Sequence, residues 1–170
     1  MLKQVDFVSC NSMRHCRIWD QDDEHVQVSF GLVFYIRTIG VVKLANIRTM
    51  VTNLNTFIRE SEGQVAYILH LGENSTPPDG EDRPKVWDMF NRSAARLAGV
   101  AIVIDAKGFK GSMIRSTVTM AFSISRRGYE SSIVEDMIKA SSWIGPRVSM
   151  SQSEILALAG DAASVLLKRP

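Results

Sequence analysis

Two residues at the ends of predicted strands could carry out acid–base chemistry together. His70 lies near the end of the apolar run 65–71, and Asp105 directly follows the apolar run 100–104. Open parallel sheets bind ligands outside the carboxyl ends of their strands, which is where both side chains would lie. A histidine beside a carboxylate can transfer protons, so an enzyme using this pair is one hypothesis. We favour the alternative, a locally hydrogen-bonded histidine and a turn-capping aspartate, because no nucleophile stands at a recognisable spacing.

Residues 107–112, just before a predicted helix, form a candidate anion site. Lys107, Lys110, two glycines and the backbone N–H groups could together hold an anion. The segment is not a P-loop, because the P-loop order of glycines, lysine and hydroxyl residue is missing. Residues 106–129 contain no acidic residue and five basic ones, namely Lys107, Lys110, Arg115, Arg126 and Arg127. The segment is therefore either a solvated helix face or a contact surface for an acidic partner or a phosphate.

The polar loop 72–81 follows the run 65–71 at the same predicted sheet edge. Loops of this length at the carboxyl end of a strand often carry contacts, and the alternative is a tolerated surface insertion. The residues that we predict to bind a partner or ligand are His70, Glu73, Ser75, Thr76, Asp105, Lys107, Phe109 and Lys110.

Cys10, His15 and Cys16 suggest a metal site at first sight. Zinc needs four ligands, which usually come from closely spaced pairs. Five residues separate the two cysteines, and the other histidines lie in unrelated segments. We therefore expect ordinary reduced thiols, with no metal and no cofactor.

The composition is that of a compact globular domain. The chain has 170 residues, of which 45% are hydrophobic and 22% charged, and its 20 basic and 18 acidic residues leave a net charge of +2. These values argue against disorder and against a strongly basic, general nucleic-acid binder. Two cysteines are too few for a secreted disulfide scaffold. No signal peptide or membrane-spanning run is visible, so we expect a cytoplasmic protein.

The first half of the chain predicts a hairpin, a helix and a strand. Alternation over residues 26–36 predicts one strand, in which Gly31 marks a bulge or a bend. Residues 16–19 would be its partner strand, and the acidic segment 20–24 would be a solvated turn. The predicted strand has a shared apolar face of Val26, Val28, Phe30, Leu32, Phe34 and Ile36. A helix with Leu44, Ile47, Val51, Leu54 and Ile58 on one face follows, and then the central strand 65–71.

The second half continues the alternation of helices and strands. A helix from Asp82 would bury Val86, Phe90, Ala94 and Leu97, and the strand 100–104 would follow it. The next helix, 107–125, would direct inward Met113, Ile114, Val118, Ala121 and Phe122. A strand over 129–134 and a helix over 135–144 come next, and Gly145-Pro146 is expected to break the chain. Ser151 and Glu154 have capping-box spacing at the start of a last helix.

This order predicts an α/β fold with a mostly parallel sheet, an N-terminal β-hairpin, flanking helices and an extra C-terminal helix. We divide the chain into an N-terminal arm (1–13), the α/β domain (14–144) and a C-terminal helical extension (145–170). The last helix has an apolar stripe that must be covered, either inside the monomer or in a homodimer. The stripe contains Ile155, Leu158, Ala159, Ala162, Val165 and Leu166.

The succession of elements over residues 14–144 resembles the bacterial STAS-like, or SpoIIAA-like, single-domain proteins, which are related to the CRAL-TRIO fold. The features that carry the resemblance are the hairpin, the amphipathic helix, the strand VAYILHL and a helix that ends in Arg96-Leu97-Ala98-Gly99 before the run 100–104. The resemblance is one of element order and register, and it includes no catalytic motif.

The resemblance implies a non-enzymatic module that docks on partner proteins or, in some branches, binds a lipid or a nucleotide. Members that antagonise anti-sigma factors carry an Asp-Ser-Ser-Gly-like phosphoacceptor after the second core strand. The matching stretch here is Asp79-Gly80-Glu81-Asp82, which has no hydroxyl group. We expect that any phosphorylation switch uses Ser75 or Thr76, or is absent.

Three functions follow as hypotheses from different classes. The leading one is a non-catalytic regulatory or scaffold module that acts through protein contacts. The second is a carrier or sensor of a lipid or other small apolar ligand, which needs an internal cavity lined by Phe109, Met113, Ile114 and Met120. The third is the enzyme that uses His70 and Asp105. A sealed core would count against the carrier, and a His70 side chain among packed residues would count against the enzyme.

Overall fold

The computed structural model describes residues 16–42, 44–76, 92–124 and 128–167. They form a six-stranded mixed sheet in which the order of the strands follows the order of the chain. The strands are β1 (Arg17–Gln21), β2 (His25–Phe30), β3 (Val33–Thr38), β4 (Val65–Leu71), β5 (Leu97–Ile104) and β6 (Ser131–Val134). The helices are α1 (Leu44–Glu60), α2 (Gly108–Ile124), α3 (Met137–Val148) and α4 (Gln152–Leu167), and a 3-10 helix covers Ala94–Arg96.

The type of strand pairing changes once across the sheet. Strands β1, β2 and β3 pair antiparallel, whereas β3, β4, β5 and β6 pair parallel. Short turns are sufficient for the antiparallel strands, and the parallel strands need the longer crossovers that the helices provide. The predicted fold class, a mostly parallel α/β sheet with an N-terminal hairpin, is confirmed.

The predicted strand 26–36 is two strands, so this part of the prediction is wrong. Gly31 has a φ of 55°, and Phe30 pairs with Val33 across a two-residue turn that reverses the chain. Such turns favour glycine because they require positive φ. The predicted common face is wrong as well. Val26 and Val28 pack on one side of the sheet, whereas Phe34 and Ile36 pack on the other.

The two faces of the sheet have separate cores. The first face packs against α1 and α2, with Phe34, Tyr67 and Ile102 among its buried residues. The second face packs against α3 and α4, with Tyr35 and Ile68 at its centre. Helices α1 and α2 connect neighbouring parallel strands in one direction along the sheet, and crossovers of one hand place such helices on the same face. The helices after β6 therefore cover the opposite face.

The chain does not break at Gly145-Pro146, as the sequence predicted. Helix α3 runs through both residues to Val148 and ends at Ser149, which has a φ of 53°. A Cβ atom at Gly145 would lie 2.6 Å from the carbonyl oxygen of Met150, so glycine is needed there for a close approach. The predicted boundary at residue 145 thus falls inside a helix. The predicted N-terminal arm lies outside the described residues.

Strand β5 begins three residues earlier than predicted. Leu97 pairs with Val65 of β4, so it is a strand residue and not part of a helical stripe. Pairing with β4 extends the strand because each added residue gains backbone hydrogen bonds from its neighbour. Most of the predicted helix from Asp82, including Val86 and Phe90, lies outside the described residues.

Helix α4 starts with the predicted capping box. The backbone N–H of Ser151 donates to the Glu154 carboxylate, and the N–H of Glu154 donates to the Ser151 hydroxyl. The predicted stripe packs on the second face of the sheet, where Ile155 and Leu158 are buried. The stripe is therefore covered within the monomer. No helix among the described residues is long and apolar enough to cross a membrane.

Candidate functional site at the carboxyl edge of the sheet

Four polar residues meet on the second face of the sheet, where the parallel strands end. Arg37 of β3 is in register with His70 of β4, and Tyr35 lies two residues earlier on the same face of β3. Asp105 follows β5, and its backbone N–H donates to the carbonyl of Leu71. Alternate residues of a strand share a face, so this register brings the four side chains together. The predicted proximity of His70 and Asp105 is confirmed.

Hydrogen bonds fix the tautomer of His70. The Tyr35 hydroxyl lies 2.7 Å from Nδ1, and Nε2 lies 2.8 Å from Oδ1 of Asp105. Because an ionised carboxylate only accepts hydrogen bonds, Nε2 carries the proton and donates it to Asp105. Nδ1 then accepts from the Tyr35 hydroxyl. Arg37 completes the chain, with its guanidinium 3.8 Å from the second carboxylate oxygen.

Burial favours the uncharged forms of the two central residues of this cluster, His70 and Tyr35. The pKa of His70 is lowered, mainly because burial disfavours the imidazolium, and the nearby charge of Arg37 adds to this effect. The hydrogen bond and charge of Asp105 oppose the shift but do not cancel it. Burial also raises the pKa of Tyr35 far above its ordinary value. The His70 side chain is only about 6% exposed, so it points into packed residues. Asp105, the hydrogen-bond partner of His70, is 33% exposed and forms the solvent-facing end of the cluster.

The loop after β4 contains the other predicted polar candidates. Ser75 is buried, and its hydroxyl donates to the carbonyl of Thr38 at 2.6 Å. Thr76 forms a parallel bridge with Val41, whereas Glu73 is exposed. The Ser75 hydroxyl thus fastens the loop to the end of β3 and is enclosed by the protein.

The start of α2 holds the predicted anion segment in a defined conformation. Gly108 has a φ of 59°, and a Cβ atom at Gly111 would collide with the carbonyl oxygen of Ala106. The Lys110 ammonium donates to the carbonyl of Glu73 at 2.9 Å, which joins α2 to the loop after β4. Lys107 is exposed. Lys110 therefore connects α2 to the loop after β4, whereas Lys107 faces solvent.

Five large apolar side chains are exposed among the described residues, and all five follow the carboxyl ends of parallel strands. Two follow β3, two lie in the first turns of α2, and one lies in the first turn of α3. We call this set the edge patch, and it consists of Ile39 (38% exposed), Val41 (51%), Phe109 (87%), Met113 (53%) and Ile138 (62%).

The edge patch corrects one part of the sequence analysis. The carrier hypothesis needs Phe109 and Met113 to line an internal cavity, and Met113 was predicted to point inward, but both side chains face solvent, whereas Ile114 is buried. A helix that starts at the rim of a sheet covers the core only from its later turns, so its first apolar residues lie beyond the core. Ile39, Val41 and Ile138 were not predicted as site residues. The available signal was the apolar run 39–42, which continues past the end of β3.

The acidic turn between β1 and β2 was predicted to be solvated, but its carboxylates contact the buried His25, which is a second correction. The carboxylate of Asp20 lies 3.1 Å from Nε2 of the buried His25, and Asp22 lies 2.8 Å from Nδ1. Although burial acts to raise the pKa of Asp22, the N–H groups of Glu24 and His25 and the charge of His25 bring it below its ordinary value. Asn46 of α1 contacts both His25 and Asp22. These contacts tie the turn to the first face.

Two open grooves lie away from the edge patch. One is lined by residues near the amino ends of β5 and β6, including Tyr129 and Arg147. The other is lined by Trp19 and Phe57 beside the C-terminal end of α1. Neither groove is lined by residues of α2, which the carrier hypothesis expected at a cavity. The described residues contain no cluster of histidine, cysteine and carboxylate side chains suited to a metal, and Cys10 and His15 lie outside them.

The chain matches no family model, no curated protein and no solved structure.

Proposed function

We propose that this chain is a non-catalytic module that acts through protein contacts, and that the edge patch is its contact surface. The observation that carries the proposal is the location of the exposed apolar side chains. All five in the described part of the chain lie at one edge of the sheet, where the connecting loops also lie. Grouped apolar side chains on a surface mark interaction sites more often than scattered ones.

The environment of His70 supports a non-catalytic role. Both ring nitrogens are used in hydrogen bonds to Tyr35 and Asp105, and the ring is buried. A general acid or base must reach the proton that it transfers, directly or through one water molecule. Burial favours the neutral form of His70 and the protonated form of Tyr35, and in this proposal the cluster supports the shape of the edge.

The proposal agrees with what the resemblance to STAS-like proteins implies, namely docking on partner proteins. A phosphorylation switch of the type found in that family is not part of the proposal. The hydroxyl of Ser75 is enclosed and bonded to Thr38, so a kinase could reach it only after the loop opened. Thr76 is the more accessible of the two hydroxyl residues.

A photo-crosslinking experiment tests the contact surface. Phe109 is replaced by p-benzoylphenylalanine in the full chain in its native cells, and the matched control carries the same group at Ser116, which is exposed two turns further along α2. We expect a discrete protein adduct from position 109 that is absent from position 116, identified by mass spectrometry. Reversal of charge by Lys107→Glu should reduce its yield. Equal labelling from both positions, or adducts with lipid alone, would contradict the proposal.

A further inference from the structure

Charge is distributed unevenly along the edge patch. At one end, the β1–β2 turn contributes the carboxylates of Asp23, which is exposed, and of Asp22, whose side chain is 42% exposed. This turn is next to the patch, because the N–H of Ile39 donates to the carbonyl of Glu24 at 2.7 Å. At the other end, Lys107 and Lys110 stand on either side of Phe109 in the sequence. The edge thus has an acidic end and a basic end.

Two side chains of the edge patch, Ile39 and Val41, lie between these ends, whereas Ile138 follows β6, beyond the lysines. Ile39 and Val41 follow β3, and the loop after β4 separates them from α2, to which it is joined through Lys110 and Glu73. Neighbouring strands are about 4.8 Å apart. The start of β2 and the end of β5, which both lie at this edge, are therefore separated by roughly 14 Å. Beyond the lysines, the charge of Glu135 is paired with Lys139 at 2.6 Å, and the carboxylate of Asp136 caps α3 by accepting from the N–H of Lys139. For the residues that the structure describes, the order from β2 to β5 along the edge is therefore acidic, apolar and basic.

We infer that the edge patch binds a second copy of this chain in a two-fold dimer, an inference that rests on the proposed function. A two-fold axis near the end of β4 would place the acidic end of each copy against the basic end of the other. The same axis would bring Phe109 of one copy opposite Ile39 and Val41 of the other. Such an interface is self-complementary, as an isologous contact must be.

The charges favour this partner over a bilayer. An anionic membrane would attract Lys107 and Lys110, but it would repel the exposed Glu73 and the acidic turn on the same edge. Each basic residue near an anionic surface contributes only about 1 kcal/mol, so two lysines are too few to overcome this repulsion. A surface that has an acidic end and a basic end with apolar side chains between them is complementary to a second copy of itself rotated by 180°.

The first test measures dimerisation by sedimentation over a dilution series. Phe109→Asp should raise the dissociation constant of the dimer about 30-fold or more, because it places a charge against the apolar side chains of the other copy. Ser116→Asp introduces the same charge on the same helix about 10 Å from position 109 and should leave the constant unchanged. Equal effects of the two variants would show that the edge patch is not the interface.

A charge-exchange experiment tests the two-fold arrangement. One variant carries Gln21→Lys with Asp23→Lys at the acidic end, and the other carries Lys107→Glu with Lys110→Glu at the basic end. Each should dimerise about tenfold more weakly than the native chain, since both lose attraction or gain repulsion. An equimolar mixture should associate more tightly than either variant alone, because one of its two contacts keeps the native pairing. Arg59→Glu, at the far end of α1, is the matched control and should have no effect.

The outcomes separate this inference from the proposed function. We take a dissociation constant of about 1 mM as the weakest dimer of interest. A native chain that stays monomeric up to this concentration would overturn the dimer. A mixture no tighter than its components would overturn the two-fold pairing. In either case, a crosslink from position 109 to another protein would leave the proposed function intact, whereas its absence would remove that as well.

Discussion

Large aromatic side chains are covered by arginines at the amino edge of the sheet, whereas Phe109 is exposed at the carboxyl edge. At the amino edge, the guanidinium of Arg17 lies 3.6 Å from the ring centroid of Trp19 and pairs with Glu60. The same arrangement recurs near the start of β5, where Arg147 lies 3.8 Å from the ring centroid of Trp143 and pairs with Glu130. At the carboxyl edge, Phe109 is 87% exposed and no comparable guanidinium among the described residues covers it.

This difference supports the proposal that the carboxyl edge is the contact surface. Long cationic side chains can cover apolar surface while their charged groups stay in water. The chain uses this arrangement twice at the amino edge. At the carboxyl edge the neighbouring Lys110 reaches across to the carbonyl of Glu73 and leaves the ring of Phe109 open. An uncovered aromatic ring on an otherwise braced edge is what a contact surface needs, since aromatic anchors contribute strongly to protein interfaces.

The largest expected effect comes from one substitution made at a covered and at an uncovered position. Leu158→Asp buries an unpaired charge under the second face, where Leu158 is 3% exposed, and should lower the free energy of unfolding by about 4 kcal/mol or more. Phe109→Asp should change it by no more than about 0.5 kcal/mol. Urea denaturation measures both. Comparable losses would mean that Phe109 supports the fold, and the comparison of the two edges would fail.

The next largest effect concerns the polar cluster beneath the edge. His70→Leu leaves the Tyr35 hydroxyl and Asp105 without their partner and should cost about 2 kcal/mol of stability. His70→Gln should cost less, because an amide oxygen can accept from Tyr35 while its N–H group donates to Asp105. If urea denaturation showed the two variants to be equally destabilised, the hydrogen bonds would not be what holds His70.

The same cluster gives stability a dependence on pH. The pKa of His70 is lower in the folded chain than the value of about 6.5 in the unfolded chain, so below that pH the unfolded state binds more protons. Stability contributed by neutral His70 is therefore present above pH 6.5 and is lost as the pH falls toward the folded pKa. Urea midpoints measured between about pH 7.5 and 5 should fall for the native chain and fall less steeply for His70→Gln. Equal slopes would remove His70 as the titrating group.

Much of the fold was predictable, because hydrophobic periodicity is a local property. The spacing of Leu44, Ile47 and Leu54 correctly predicted α1, and the run 65–71 correctly predicted β4. Two glycines were misread for opposite reasons. Gly31 reverses the chain through its positive φ, whereas Gly145 sits inside a helix to allow close approach of Met150. A sequence marks both only as glycine, and tertiary contacts decide between them.

The sequence could predict only the part of the candidate site that follows from the order of the parallel strands. The pairing of His70 with Asp105 follows from both residues lying at the ends of neighbouring parallel strands. The participation of Tyr35 and Arg37 required the register of β3 against β4, and the hairpin error hid that register. The exposure of Phe109 depends on how far α2 extends past the rim of the sheet, which the helical period does not determine.

The smallest expected effect lies at the amino edge. Arg17→Ala removes both the cation over Trp19 and the ion pair with Glu60, and should lower stability by about 0.5–1 kcal/mol because both groups are partly solvated. Glu60→Gln removes only the pair and should cost less. A double-mutant cycle by urea denaturation isolates the coupling, which salt should weaken. The variants should also leave crosslinking at position 109 unchanged. A coupling near zero with full loss in Arg17→Ala would assign the whole effect to Trp19, and altered crosslinking would show that the two edges are not independent.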